Sequence, residues 1–220
     1  MTAPSDARPT TGVAITTPEE LRALLGEVVP RAAKKERTRL HARDREWIAN
    51  SPFVVVCTSD AAGNCDASPK GDPPGFVKVL DDTTIAIPER PGNRRGDSYF
   101  NILSNPHVGL LFLIPGRGET LRINGRARLV RDAPYFDDMV VQGHRPILAV
   151  EVAIDTIFFH CAKAFLRSRL WKPETWRPDV LPSFARLIKD VSPSLPETVE
   201  ELEAFYRPEN YERTLYQQSP

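Results

Sequence analysis

The segment "ETLRINGRARLVR", Glu119–Arg131, alternates apolar and polar side chains along its length. The apolar set is Leu121, Ile123, Ala127 and Leu129, and the polar set is Arg122, Asn124, Arg126 and Arg128. Successive side chains of a β-strand point to opposite faces, so one face of this strand is predicted to be buried and the other to meet solvent. The pattern therefore indicates a strand in an antiparallel sheet.

Further segments on both sides carry strand patterns and are mostly joined by short turns. They are "FVVVCTS" and "CDASPKG", joined in a hairpin at Gly63-Asn64, then "GFVKVLD", "TTIAIPE", "VGLLFLIP" and "PILAVEVAIDTIFFH". Regular alternation of strands and helices is absent, as are the glycine-rich motifs of dinucleotide and triphosphate sites. Six or seven strands at this spacing predict a mainly β fold, an antiparallel sheet closed on itself as a small barrel.

Helices are predicted at the margins of this sheet. Residues 1–15 are expected to be a flexible tail, and Thr17-Pro18-Glu19-Glu20 begins a helix with a capping pattern. A charged helix is predicted over residues 31–50, and two more in "SFARLIKDV" and "PETVEELEAFY" near the C-terminus. We therefore divide the chain into a tail with helices at 1–46, a barrel at 47–172, and a C-terminal helical extension at 173–220 that packs on the barrel.

The overall charge argues for a local anion site rather than a charged surface. The chain has 220 residues, with 29 basic and 29 acidic side chains and a net charge of zero, which disfavours binding of polyanions through bulk charge. The N-terminal residues lack the basic and apolar regions of a secretory signal, and no apolar run reaches membrane-spanning length. We expect a soluble, cytoplasmic protein that binds neither nucleic acid nor membrane.

The segment "ERPGNRRGDSYFNIL", Glu89–Leu103, places a basic loop directly before a predicted helix. A helix start favours anions, and Arg94 and Arg95 would add guanidinium groups suited to phosphate oxygens. Ser98 could add a hydroxyl donor. The combination predicts a phosphate clamp, although a solvated loop whose arginines pair with Asp97 or Glu89 is an alternative.

Two further basic clusters follow predicted strands. Lys70 lies in "ASPKGDPPGF", and Lys163, Arg167 and Trp171 lie in "HCAKAFLRSRLW". Three basic clusters at strand ends could converge on one phosphorylated aromatic ligand. Trp171 could cover that ligand or simply pack against its neighbours.

On these segments the chain resembles the pyridoxamine 5'-phosphate oxidase-like split-barrel flavoproteins, which bind FMN. The resemblance covers roughly residues 47–172, and its most specific pieces are "NRRGDSYFNILSNPHVGLLF" and "HCAKAFLRSRLW". It implies an antiparallel split β-barrel and a homodimer with FMN at the subunit interface. The C-terminal segment "SRLWKPETW" departs from the basic motif of the vitamin B6 enzymes, so the chain is similar to another branch of the family.

The resemblance also implies roles for individual residues. Arg94, Arg95 and Ser98 correspond to the segment that binds phosphate, and Asn101 would support that loop. Strand residues would line the flavin ring, and a further set would come from the partner subunit. The ring set is Ala67, Ser68 and Lys70, and the partner set is Lys163, Arg167 and Trp171.

The function expected from this resemblance is an FMN-dependent oxidoreductase that transfers a hydride to or from a small molecule, with NAD(P)H or oxygen as candidate redox partners. Alternatives are a flavin-binding sensor, carrier or storage protein without turnover, and a split barrel that uses deazaflavin or haem. Nucleic-acid binding through Arg122, Arg126 and Arg128 is disfavoured because that strand lacks interleaved aromatic residues. His107, His144 and His160 are candidate proton donors, but no catalytic residue and no metal site is assigned.

Overall fold

The structure is a computed structural model that describes residues 12–217. Residues 1–11, where most of the predicted tail lies, are outside the described part. The chain forms two compact units that divide after Lys35. The division predicted from the sequence, at residues 46 and 172, stays a prediction.

The first unit contains two short helices. They are α1 (Pro18–Leu25) and α2 (Pro30–Ala33). Thr17 caps α1 as the sequence predicts: its hydroxyl accepts from the Glu20 N–H, and the Glu20 carboxylate accepts from the Thr17 N–H. This reciprocal capping satisfies two backbone donors that a helix start leaves unpaired.

The second unit contains the sheet, the remaining helices and two short 3₁₀ turns. The strands are β1 (Phe53–Ser59), β2 (Cys65–Gly71), β3 (Lys78–Val79), β4 (Thr84–Pro88), β5 (His107–Leu113), β6 (Thr120–Val130) and β7 (Ala149–His160). The helices are α3 (Ala42–Asn50), α4 (Asp97–Ser104), α5 (Lys163–Ser168), α6 (Phe184–Val191), α7 (Val199–Phe205) and α8 (Pro208–Arg213). The 3₁₀ turns are Pro134–Met139 and Pro173–Thr175.

The seven strands form one antiparallel sheet in the order β2-β1-β5-β6-β7-β4-β3. The mainly β, split-barrel fold predicted from the sequence is confirmed. The further expectation that the sheet closes on itself was wrong, because within residues 12–217 no strand pairing joins β2 to β3. Both edge strands therefore keep an unpaired side.

Strand β6 behaves as its alternation predicts. Leu121, Ile123 and Ala127 are buried in the core, while Arg122 and Arg126 are exposed. The pairing of β6 with β7 shifts register between Asn124 and Gly125, and the same face of β6 stays buried on both sides of the shift. The largest fully buried side chains of this core include Phe112, Ile85, Ile157 and Val54.

The long charged helix predicted over residues 31–50 was wrong, because the chain leaves α2 at Ala33 and begins α3 at Ala42. Between them Arg37 pairs with Ile157 of β7, exchanging both backbone hydrogen bonds at 3.1 and 2.8 Å. The Arg37 guanidinium binds the carboxylate of Asp44 through both of its terminal nitrogens. Asp44 also accepts from the His41 N–H and so caps α3. These contacts hold Arg37 against β7 at a single bridge and separate α3 from the preceding helix.

The C-terminal extension is helical, as predicted. Ser183 and Thr198 cap α6 and α7, and the two helices pack together through Phe184 and Tyr206, whose ring centroids lie 5.0 Å apart. None of the helices between residues 12 and 217 has the length and apolar character that crossing a bilayer requires.

Candidate functional site

A pocket of about 970 Å³ lies beside the edge strand β2, within the size range of small-molecule and cofactor sites. Its walls come from β2, the loop 89–96, the start of α4, the turn before β7 and the C-terminal residues Tyr211 and Tyr216. Its polar walls carry an excess of positive charge. The lining contains five basic side chains, Lys70, Arg90, Arg94, Arg95 and Arg145, and three acidic ones, Asp66, Glu89 and Asp97, which leave a net charge of +2.

The loop before α4, residues 89–96, is shaped by backbone geometry. Arg94 and Gly96 both adopt left-handed conformations, with φ of 60° and 70°. Gly96 is the N-cap of α4, and its carbonyl accepts from the N–H groups of Tyr99 and Phe100. No side chain caps this helix start, so it presents backbone N–H groups and the positive end of the helix dipole to the pocket.

The two arginines of the predicted clamp differ in their contacts. Arg95 donates through Nε to the Asp97 carboxylate at 2.8 Å, which is the pairing expected of a solvated loop. Arg94 is exposed and forms no ion pair or side-chain hydrogen bond with any residue between 12 and 217. Its guanidinium is therefore free to bind an anion.

Ser98 is buried, and its hydroxyl donates to the carboxylate of Asp66 on β2. This bond fixes the first turn of α4 to the edge strand. The Ser98 hydroxyl can therefore donate to a ligand oxygen only if its hydrogen bond to Asp66 is broken.

Lys70 is held inside the pocket rather than extended into solvent. Its Nζ lies 3.1 Å from a Glu89 carboxylate oxygen, 2.8 Å from the Tyr99 hydroxyl and 4.8 Å from the centre of the Tyr99 ring. Its side chain is 19% exposed, and Glu89 balances its charge. Ala67 and Ser68 line the pocket on the same strand.

The remaining predicted site residues lie away from this pocket. Asn101 donates to the Thr58 hydroxyl at 3.0 Å and so ties α4 to β1. Trp171 donates through Nε1 to the Arg117 carbonyl at 2.7 Å and stacks on Phe165. Lys163 and Arg167 belong to α5, outside the lining. Their delivery by a partner subunit stays a prediction.

A second polar cluster, at the wall of the pocket, was missed by sequence reasoning. Arg90, at the start of the loop, donates to the Asp72 carboxylate and to the Met139 carbonyl. Tyr216 donates its hydroxyl to Asp72 and stacks on His144, with ring centroids 5.9 Å apart. Burial and the hydrogen bond to Asp72 raise the pKa of Tyr216 to about 12. No local signal links these residues, because Tyr216 and Asp72 are 144 positions apart.

Of the three histidines considered as proton donors, His144 lines the pocket. His107 and His160 do not, and the ring of His107 contacts the side chain of Asn105.

The family model for pyridoxamine 5'-phosphate oxidase matches residues 40–161. No curated protein matches the chain. Among solved structures, HupZ of Group A Streptococcus is 19% identical, covering 55% of this chain and 93% of that one, with a TM-score of 0.44.

Two other solved structures are similar to part of the chain. An FMN-binding protein from Syntrophomonas wolfei is 14% identical over 54% of this chain and 89% of its own, with a TM-score of 0.41. HutZ, the heme storage protein from Vibrio cholerae, is 13% identical over 56% and 94%, with a TM-score of 0.39.

Proposed function

Because the chain belongs to the pyridoxamine 5'-phosphate oxidase family, we propose that it binds FMN in the pocket beside β2 and uses it to transfer a hydride to or from a small molecule. The observation that carries the proposal is the unpaired guanidinium of Arg94 next to the uncapped start of α4. A phosphate monoester carries a charge of about −1.5 to −2 near neutral pH, which the net charge of +2 in the lining complements.

The donors present fit a phosphate group. Arg94 would bind it directly, and Arg95 would bind it while remaining close to Asp97. Gly96 allows the ligand to approach the helix start closely, because a glycine places no Cβ there. A Cβ at this position would lie 3.3 Å from the Phe100 ring. Any other residue here would also have to adopt the left-handed backbone conformation of Gly96.

The other side of the pocket suits a flat ring. Phe76, Pro88 and Leu148 supply apolar surface, and Lys70 supplies a positive charge held in place by Tyr99 and Glu89. When bound, FMN supplies the group that accepts or donates the hydride. The residues of the chain orient that group and exclude water from one face of it.

A second copy of the chain is the proposed partner. Apolar and small residues cross β1, β2 and β5 on one face of the sheet, in register with one another. They are Val55, Cys57, Ala67, Pro69, Gly109 and Leu111. Cys57, Ala67 and Pro69 are exposed in the single chain, and a contiguous apolar strip of this kind is typical of an interface. The partner would then bring Lys163, Arg167 and Trp171 to the flavin, as the resemblance implies.

The first test is the visible absorption spectrum of the purified protein, with identification of any released chromophore by mass. A yellow protein that releases FMN supports the proposal. A colourless protein that fails to bind added FMN contradicts it, and titration with deazaflavin and haem then identifies the alternative cofactor. Reduction of bound FMN by NAD(P)H and its reoxidation by a small molecule separate an oxidoreductase from a storage or carrier protein.

The arginine loop is tested by the double variant Arg94→Ala/Arg95→Ala. Loss of two charge-assisted contacts to phosphate is expected to weaken FMN binding about 100-fold. The matched control is Arg177→Ala/Arg186→Ala, which removes the same charge from exposed residues of the C-terminal extension that lie outside the pocket lining. Unchanged FMN affinity in the loop variant would rule out the phosphate site.

A further inference from the structure

The chain's own C-terminal segment reaches the candidate site. Residues 208–217, which we call the C-terminal strap, comprise α8 and the turn after it, and they bring Tyr211 and Tyr216 into the pocket lining. The strap lies well beyond residues 40–161, which match the family model. It is therefore an addition to the part of the chain that defines the family.

Tyr216 anchors the strap through contacts with three separate segments. Its hydroxyl donates to Asp72, which follows β2 and has a side chain only 1% exposed. Its ring stacks on His144, in the turn before β7. The Arg90 guanidinium lies 5.8 Å from the centre of the ring. A hydrogen bond to a buried carboxylate is stronger than one between neutral groups, so this anchor is specific.

Arg90 connects the anchor to the arginine loop. It binds Asp72 through Nε and the Met139 carbonyl through a terminal nitrogen at 2.7 Å. The same loop carries Arg94 only four residues later. This one loop therefore contacts the Tyr216 ring through Arg90 at its start and carries Arg94, the proposed phosphate-binding residue, near its end.

We propose that the C-terminal strap closes the pocket over a bound flavin nucleotide and that Tyr216 is the positioning residue that holds it closed. This inference rests on the proposed function, because it takes FMN as the ligand. Tyr216 and Tyr211 form part of the wall, and Tyr216 restrains the loop through Asp72 and Arg90. The expected consequence is slow release of the ligand rather than a change in the chemistry.

The test measures the rate at which FMN leaves the full-length protein. The protein is diluted, and the recovery of flavin fluorescence reports the release. Tyr216→Ala is expected to release FMN about tenfold faster than the unmodified chain, because the bond to a buried carboxylate and the ring contact are both lost. Tyr216→Phe keeps the ring and loses the hydroxyl, so its rate is expected to lie between the two.

Leu215→Ala is the matched control, since Leu215 is the exposed neighbour of Tyr216 and does not line the pocket. It is expected to release FMN at the unmodified rate. The unfolding midpoint of each chain without FMN is measured in parallel. A purely structural role for Tyr216 would lower that midpoint and leave the release rate unchanged.

The outcomes separate the strap from the function on which it rests. Faster release from Tyr216→Ala, with no change in Leu215→Ala, supports the strap. Equal release rates from all chains overturn the strap and leave FMN binding intact. If the unmodified protein holds no FMN, the proposed function fails and the strap fails with it.

Discussion

Arg95 and Ser98 are both bound to carboxylates of their own chain, Arg95 to Asp97 and Ser98 to Asp66. Any phosphate that enters the pocket has to compete with these carboxylates or share their partners. Arg94 has no such competitor within the described residues, and we propose that it is the first contact for an incoming anion. The two neighbouring arginines are therefore expected to contribute differently to ligand affinity.

Asp97→Asn tests this competition directly. Removing a negative charge beside the phosphate site frees Arg95, so we expect FMN affinity to rise by about three- to tenfold, as measured by titration of flavin fluorescence. Asp155→Asn is the control, because Asp155 pairs with Arg126 outside the pocket. Weaker binding in Asp97→Asn would instead mean that Asp97 holds Arg95 in its binding orientation.

Tyr216 should also give a pH signature. Its pKa is raised from 10.0 to about 12, so the folded chain holds the phenolic proton more tightly than the unfolded chain does. The stabilisation is complete below about pH 10 and is lost as the pH rises towards about 12. The difference in unfolding free energy between the unmodified chain and Tyr216→Phe should shrink across this window in urea titrations. A constant difference would contradict the raised pKa.

The helix α3 and the segment before it depend on a single buried carboxylate. Asp44 is fully buried, binds the Arg37 guanidinium at two nitrogens and caps the helix through the His41 N–H. Arg37 in turn pairs with β7 through its backbone. One side chain thus sets both where the helix begins and how the preceding segment joins the sheet.

Asp44→Ala is expected to lower the unfolding free energy by about 3 kcal/mol, because it leaves Arg37 partly buried without its partner and removes a helix cap. Glu46→Ala on the same helix removes an exposed pair with Arg43 and is expected to cost less than about 0.5 kcal/mol. Urea unfolding of both variants measures the two costs. Similar losses of unfolding free energy in the two variants would show that the buried Asp44 contributes no more stability than the exposed Glu46.

The sequence predicts elements whose signals are local. The alternation in β6, the hairpin at Gly63-Asn64 and the capping box at Thr17 each involve residues a few positions apart. The break between α2 and α3 could not be predicted in this way, because it depends on Arg37 meeting Ile157, 120 positions later in the chain. Helix propensity alone favours continuation there, and tertiary contacts override it.

The candidate site likewise combines residues that the sequence predicts with residues that it does not. The arginine loop and the residues of β2 were predicted from a loop-to-helix pattern and from family resemblance, and they line one pocket. Trp171 was considered as a cover for the ligand, whereas in the single chain it packs on Phe165. No sequence pattern links Tyr216 to Asp72. The contribution of the C-terminal strap to the site therefore could not be predicted from the sequence.

The whole molecule is expected to assemble as a dimer through the strip of small and apolar residues on β1, β2 and β5. Light scattering should give twice the chain mass of 24.6 kDa. Leu111→Glu places a charge at the β5 side of that strip and is expected to give a monomer with reduced FMN affinity. Val191→Glu alters an apolar residue that is 80% exposed elsewhere and should remain dimeric. A monomeric unmodified protein that still binds FMN would contradict the dimer.

The two edges of the open sheet bear on how copies of the chain avoid uncontrolled association. An unpaired strand edge can template the addition of further strands, which leads to fibres and aggregates. Strand β2 carries Pro69, which has no N–H to offer an added strand, and β3 is only two residues long. Both features weaken continuous pairing with a strand of another chain. The sheet can therefore expose an apolar face for a defined partner while resisting edge-to-edge polymerisation.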